Sequence, residues 1–178
     1  RTVFGLLRDP YERLVSYFRA SVKDESGDRR VFNLRHWAKT CDVNGAVNYM
    51  MKEYLASRAT DPYMYDCAFL PQSEYFGGEF GVALPVDNRK FPASLNRLFK
   101  EHGYDELFIG RDDVLRATGC SEVWAGALTP DTRKLVREAY AKDFELICSK
   151  FGYCDREEST CMDSVRSMCP RNMTRVLE

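Results

Sequence analysis

Apolar positions along the 178-residue chain fall into patterned stretches set apart by polar, Gly- and Pro-marked breaks. Residues 3–7 (VFGLL) are continuously apolar and predict a short buried strand. Arg8 closes that run. Asp9 stands where a helix N-cap belongs, Pro10 at the first helical position and Glu12 at the third. Tyr11, Leu14, Val15 and Phe18 recur at helical spacing as a buried stripe, while Glu12, Ser16, Arg19 and Lys23 fall on another face. The pattern predicts a strand, a sharp turn and a helix whose N-terminus is open to an anion.

Residues 23–30 (KDESGDRR) read as a charged loop, and residues 31–40 as a short helix or hydrophobic arm carrying Phe32, Leu34 and Trp37. Val47, Met50, Met51, Tyr54 and Leu55 predict a core-facing helix over 43–58, ended by Asp61 and Pro62. Gly77 and Gly78 make a turn, and residues 80–85 (FGVALP) read as a second core strand. Residues 92–103 predict an amphipathic helix with Leu95, Leu98 and Phe99 inward and Gly103 as its stop. Residues 104–128 carry no regular pattern. Thr129 as cap and Pro130 as first residue open one long predicted helix over 129–153, lined by Leu135, Val136, Ala139, Tyr140, Phe144 and Ile147.

A hydrophobic content of 44% with 13% aromatic residues predicts a folded globule and excludes a disordered chain. Net charge is −1, so the overall balance points to neither nucleic acid nor an anionic membrane as partner. No stretch reaches the roughly 18 apolar residues of a membrane span. Four of the seven cysteines, at 148, 154, 161 and 169, lie in the last 31 residues, mostly in a polar tail, which predicts disulfides and an oxidising compartment. The odd count leaves one thiol free or paired outside the segment. No Cys-x-x-Cys pair occurs, which argues against a zinc ribbon, and no metal is expected. The Asn172-Met173-Thr174 sequon fits a lumenal chain.

The candidate chemistry sits in the first strand–helix unit. Arg8 is a planar donor at the mouth of the turn. Ser16 lies two turns along, roughly 10 Å from the cap at about 1.5 Å per residue. A long arginine and a short hydroxyl at that separation suit one phosphate. The run Arg8-Asp9-Pro10-x-x-Arg13-x-x-Ser16-x-Phe18 resembles the 3′-phosphate-binding motif of sulfotransferases, most closely the Golgi enzymes that sulfate carbohydrates. Phe69-Leu70-Pro71-Gln72 resembles a Trp-x-Pro-Gln segment of the same group, with Ala68 where a His usually stands. Tyr140-x-x-Asp143-Phe144 followed by Phe151-Gly152-Tyr153 resembles the group's last helix, and is assigned to structure.

The resemblance implies an α/β, three-layer, P-loop-like fold with a central parallel sheet and the nucleotide at the carboxyl ends of its strands. It implies a sulfotransferase-like domain over 1–153 followed by a Cys-rich tail over 154–178. The implied donor is 3′-phosphoadenosine 5′-phosphosulfate, with Arg8 and Ser16 on its 3′-phosphate, and the implied acceptor is a glycan hydroxyl. The implied setting is the Golgi lumen, in a type II membrane protein anchored through an upstream segment. No Gly-x-x-x-x-Gly-Lys-Ser/Thr loop occurs, so the loop for the 5′-phosphosulfate is expected either upstream of Arg1 or not at all. No catalytic residue is assigned: His36, His102, Glu74 and Asp66 are the candidate bases. Relatives follow the second strand with an acidic residue, for which Asp87 is nearest. Arg19, Lys23, Arg29 and Arg30 either add positive field or form a solvated face. Two other readings stay open: a catalytically inactive sulfotransferase-like binding module, and a kinase-like nucleotide-binding α/β protein.

Overall fold

The computed structural model describes residues 2–21, 34–65, 67–77, 79, 81–113, 119–161 and 169. Within them the chain is a mixed helix–strand fold. A strand β1 (Phe4–Leu7) leads into helix α1 (Pro10–Ser21), followed by α2 (Arg35–Ala38) and α3 (Val43–Ser57). Strand β2 (Leu84–Asp87) and helix α4 (Ala93–Glu101) come next, then α5 (Pro130–Ala139) and α6 (Ala141–Phe151). β1 and β2 form a two-stranded parallel sheet in the register Phe4↔Leu84 to Leu7↔Asp87. The described residues thus give an α/β unit with a small parallel sheet.

Helices rather than strands build the core. Tyr11, Leu14, Val15 and Phe18 of α1 meet Val47, Met50, Met51 and Tyr54 of α3, with Val136 and Ala139 of α5 closing the group. These are the stripes expected from the spacing. Asp42 caps α3 by accepting from Gly45 N at 2.9 Å. Position 45 must be glycine because a Cβ there would collide with the Asp42 carboxylate and the Trp37 indole.

Three expectations need correcting. β1 is not buried on both faces: Leu7 is buried, but Phe4 and Leu6 are each 44% exposed. A continuously apolar strand suits a sheet covered on both faces, but on the face of Phe4 and Leu6 the edge-on Phe99 of α4 leaves both partly exposed, while Leu7 on the other face is buried. β2 starts at Leu84, not at 80. Ala83 N and Leu84 N both donate to Val3 O, and Val82 is taken up in an isolated bridge to Phe76, so regular pairing begins only afterwards. The helix expected over 129–153 is two helices. Tyr140, at φ −120° and ψ 31°, ends α5 and caps α6. Its carbonyl accepts from Asp143 N and Phe144 N, while its buried hydroxyl donates to Phe69 O at 3.0 Å. The Thr129 cap and the Pro130 start stand as expected, and Gly152, at φ 78°, ends α6.

Three disulfides join Cys41 to Cys120, Cys148 to Cys154 and Cys161 to Cys169, and Cys67 is the free thiol. They fit folding in an oxidising, secretory-type compartment. No helix among the described residues is long and apolar enough to cross a membrane. The beginning of the tail packs back on the helices: Tyr11 Oη donates to Arg156 O, and Arg133 donates to Glu157 O and Glu158 O.

Candidate anion-binding site

The end of β1 presents Arg8, and the first two turns of α1 present Ser16. Both line one cavity of about 230 Å³, together with Arg13, Tyr17, Ala68 and Phe69. The two residues singled out for one phosphate therefore share a wall. Ser16 is half-buried, and its hydroxyl makes no hydrogen bond with a described residue.

The helix N-terminus itself is not open to an anion, contrary to expectation. Tyr11 N and Glu12 N both donate to Asp9 Oδ1, at 3.0 and 3.1 Å. Pro10 has no N–H, and Arg13 N donates to Asp9 O. The cap residue that starts the helix consumes the donors an anion would use. Recognition in this cavity therefore falls to side chains. Burial pushes the Asp9 carboxyl above its ordinary value, against the pull of its two backbone donors and Arg89.

Arg8 is held from behind. Its N–H donates to Gln72 Oε1 at 2.9 Å, and its carbonyl accepts from Gln72 Nε2 at 2.7 Å. Gln72 is anchored in turn by Asp143, whose Oδ2 accepts from Gln72 N at 2.9 Å and whose Oδ1 accepts from Ser73 N at 2.8 Å. Arg13 donates from its two terminal nitrogens to Leu70 O and Ala68 O, both at 2.9 Å, and lies over the Tyr140 ring. Those guanidinium donors are occupied, so Arg13 positions the 68–72 segment. The three stretches that carry the sequence resemblance thus meet in one hydrogen-bonded hub beside the cavity.

Charge gathers on the same side. Arg8 Nε lies 3.6 Å from Glu12 Oε2, one turn apart on α1. Arg19, on the face expected to differ from the core stripe, is nonetheless buried with Glu12. Burial lowers the Arg19 pKa, the Arg8 charge lowers it further, and Glu12 opposes both. Arginine stays charged in such surroundings. Both guanidiniums thus feel the Glu12 charge, in a medium that strengthens their field. Tyr17 completes the wall, and burial raises its phenol pKa so that it remains a proton donor.

The candidate bases are not brought to this cavity. His36 is exposed in α2, edge-on to Trp37, and His102 is exposed at the end of α4. Glu74 is about half exposed, 3.9 Å from Lys142, and lines a different cavity. Asp87 accepts from Arg89 N and Tyr153 Oη. Asp66, Lys23, Arg29 and Arg30 lie outside the described residues. No group of three or more His, Cys, Asp or Glu side chains among the described residues is placed to hold a metal ion. The anchoring role of Gln72 and Asp143 has no periodic signature. Their place in the two resembling segments marked them, without indicating what they hold.

No family model matches the chain, and neither a curated protein nor a solved structure matches it.

Proposed function

We propose that this chain binds the 3′-phosphate of 3′-phosphoadenosine 5′-phosphosulfate and belongs to a transferase that moves the sulfuryl group to a carbohydrate hydroxyl. The observation that supports this reading is the shared wall: Arg8 and Ser16 line one cavity, beside the hub that joins the three resembling segments. Arg8 supplies a charge-assisted contact to a phosphate oxygen. Ser16 supplies a hydroxyl donor, and Arg13 and Gln72 hold the walls. On this reading the two described strands are part of a larger three-layer sheet, and the protein works in the Golgi lumen behind an upstream membrane anchor. The donor's 5′ end would be held by residues outside this stretch.

Isothermal titration with adenosine 3′,5′-bisphosphate tests the reading. A charge-assisted bond contributes roughly 1.5–3 kcal/mol and a neutral hydroxyl about 0.5–1.5 kcal/mol. Arg8→Ala is expected to weaken binding roughly 10- to 100-fold, and Ser16→Ala roughly 2- to 10-fold. Unchanged affinity in both variants removes the assignment, and tighter binding of ATP favours the kinase-like reading. One observation favours a second reading, an inactive binding module. Ala68 lines the cavity where the resembling enzymes usually carry a His, so the imidazole of that position is missing. That module would bind the nucleotide and turn nothing over in the full-length protein.

A further inference from the structure

A second cavity, of about 620 Å³, adjoins the first, within the roughly 300–1,000 Å³ of small-ligand sites. Residues 68–71 are the partition: Ala68 and Phe69 line the smaller space, Leu70 and Pro71 the larger. Two tyrosines stand in the larger cavity with their faces uncovered, Tyr63 at 64% exposure and Tyr75 at 41%. The ring contacts on this side join Tyr54 to Phe69 and Tyr140, and among the described residues none engages Tyr63 or Tyr75. The backbone of both tyrosines is held, and so is the Tyr75 hydroxyl. Tyr63 N donates to Asp61 Oδ1 at 3.2 Å, Tyr75 N donates to Gln72 O at 2.9 Å, and Tyr75 Oη donates to Cys67 O at 3.4 Å.

The charged groups around these rings balance: Arg58 and Lys142 against Glu74 and Glu138. The ion pair between Lys142 and Glu74, at 3.9 Å with both side chains largely exposed, is loose and leaves both groups available. Arginine and lysine only donate hydrogen bonds, and carboxylates only accept them. A multiply charged anion would meet Glu74 and Glu138. A wholly apolar ligand would strip water from four charged groups without replacing it. A ligand rich in hydroxyls satisfies both kinds of partner, because each hydroxyl donates and accepts. A pyranose ring adds an apolar C–H face, which matches the electron-rich face of a tyrosine. We propose that this cavity binds a neutral sugar unit of a glycan, stacked on Tyr63 and Tyr75. The inference deepens the transferase reading by placing its acceptor and rests on it for the reaction alone; sugar binding stands on this cavity's own geometry.

The test is saturation-transfer difference NMR on the 178-residue chain. Lactose and N,N′-diacetylchitobiose serve as neutral probes and glucuronic acid as the anionic one. Saturation is expected to reach the ring C–H protons of at least one neutral disaccharide. Tyr63→Ala and Tyr75→Ala are each expected to weaken that binding about tenfold. Both side chains are exposed enough for the fold to persist, which circular dichroism checks, and Tyr63→Phe is expected to retain binding. Adenosine 3′,5′-bisphosphate affinity is expected to stay unchanged in all three variants. The sugar site is overturned if neither disaccharide shows transfer at millimolar concentration, if both alanine variants bind like the parent, or if only glucuronic acid binds. Sugar binding that survives in a chain unable to bind the nucleotide supports this site and overturns the transferase reading alone.

Discussion

Gln72 is the residue whose replacement best tests how the anion site is held. Its side chain makes three hydrogen bonds: from Arg8 N at 2.9 Å, to Arg8 O at 2.7 Å, and a longer one to Asp143 Oδ2 at 3.4 Å. The two bonds to Arg8 are short and neutral, worth about 1 kcal/mol each, and the longer third, to a carboxyl oxygen, adds a similar amount. Gln72→Ala is therefore expected to cost about 3 kcal/mol, a large share of the roughly 5–15 kcal/mol that holds a domain folded. For a chain of this size that is a fall in Tm of roughly 6–12 °C. The assay is thermal and urea unfolding followed by circular dichroism, with the disulfides intact.

Gln72→Glu separates this account from simple loss of volume. The new carboxylate keeps an acceptor for Arg8 N, but turns its second oxygen toward Arg8 O and Asp143, where the amide donated. At pH 7 it is expected to be at least as unstable as Gln72→Ala. Repulsion raises the new carboxyl's folded-state pKa above its unfolded value. Protonation restores a donor, so the deficit should shrink as pH falls through that raised pKa. A Gln72→Glu protein within about 0.5 kcal/mol of the parent at pH 7 would refute the hydrogen-bonding scheme.

Further outcomes follow from the cysteines and from Asp9. Denatured, unreduced protein is expected to give one thiol per chain with a colorimetric thiol reagent, from Cys67; zero or three would contradict the pairing. Replacing Cys41 and Cys120 together by Ser opens a link across 79 positions, expected to cost about 4 kcal/mol, against roughly 2 kcal/mol for the six-position Cys148–Cys154 link, both measured by urea unfolding. The raised Asp9 pKa means that the folded state holds this proton more tightly than the unfolded state does. Its contribution is present below the ordinary 3.8 and lost as pH rises through the raised value. The parent should therefore lose stability relative to Asp9→Asn across that window, and parallel stability–pH curves would contradict it.

The helical core was legible because its stripes repeat at three and four residues: Tyr11 to Phe18 and Val47 to Tyr54 lie where spacing puts them. Caps were legible for the same local reason, at Asp9 and Thr129. Asp42 and Gly152 are further caps that the pattern had not marked. The break at Tyr140 was not, because the apolar spacing continues through it and the cause is distant, a hydroxyl reaching Phe69 O. The start of β2 depends on which N–H groups reach Val3 O, a pairing detail absent from local pattern. Glu12 and Arg19 fall off the apolar stripe by spacing, yet their burial together near Arg8 is a tertiary fact. In the site, Arg8 and Ser16 were recognisable as ligand-facing types at a suitable spacing. Gln72 and Asp143 act on backbone groups far away in sequence, for which residue type alone gives no direction.

That division bears on what the three resembling segments mean. Asp9, Arg13, Gln72 and Asp143 spend the bonds described here inside the protein, on backbone groups of the turn and the 68–73 segment. They would be needed to keep this fold whether or not it turns over a substrate. Arg8 and Ser16 differ. The Arg8 side chain is 24% exposed beside the cavity, and its charge works against buried Arg19, with Glu12 at 3.6 Å as a partial offset. In the cavity wall its guanidinium is placed for an incoming phosphate, since the terminal nitrogens of Arg13 donate to Leu70 O and Ala68 O. Arg8→Ala is therefore expected to cost less stability than Gln72→Ala, while removing most nucleotide binding. A thermal-shift series reads both effects together. At a ligand concentration 100 times Kd the parent gains about 2.7 kcal/mol, which the arginine variant should fail to show. An Arg8→Ala protein destabilised as much as Gln72→Ala, yet still shifted by adenosine 3′,5′-bisphosphate, would make Arg8 a structural residue and move the anion site elsewhere.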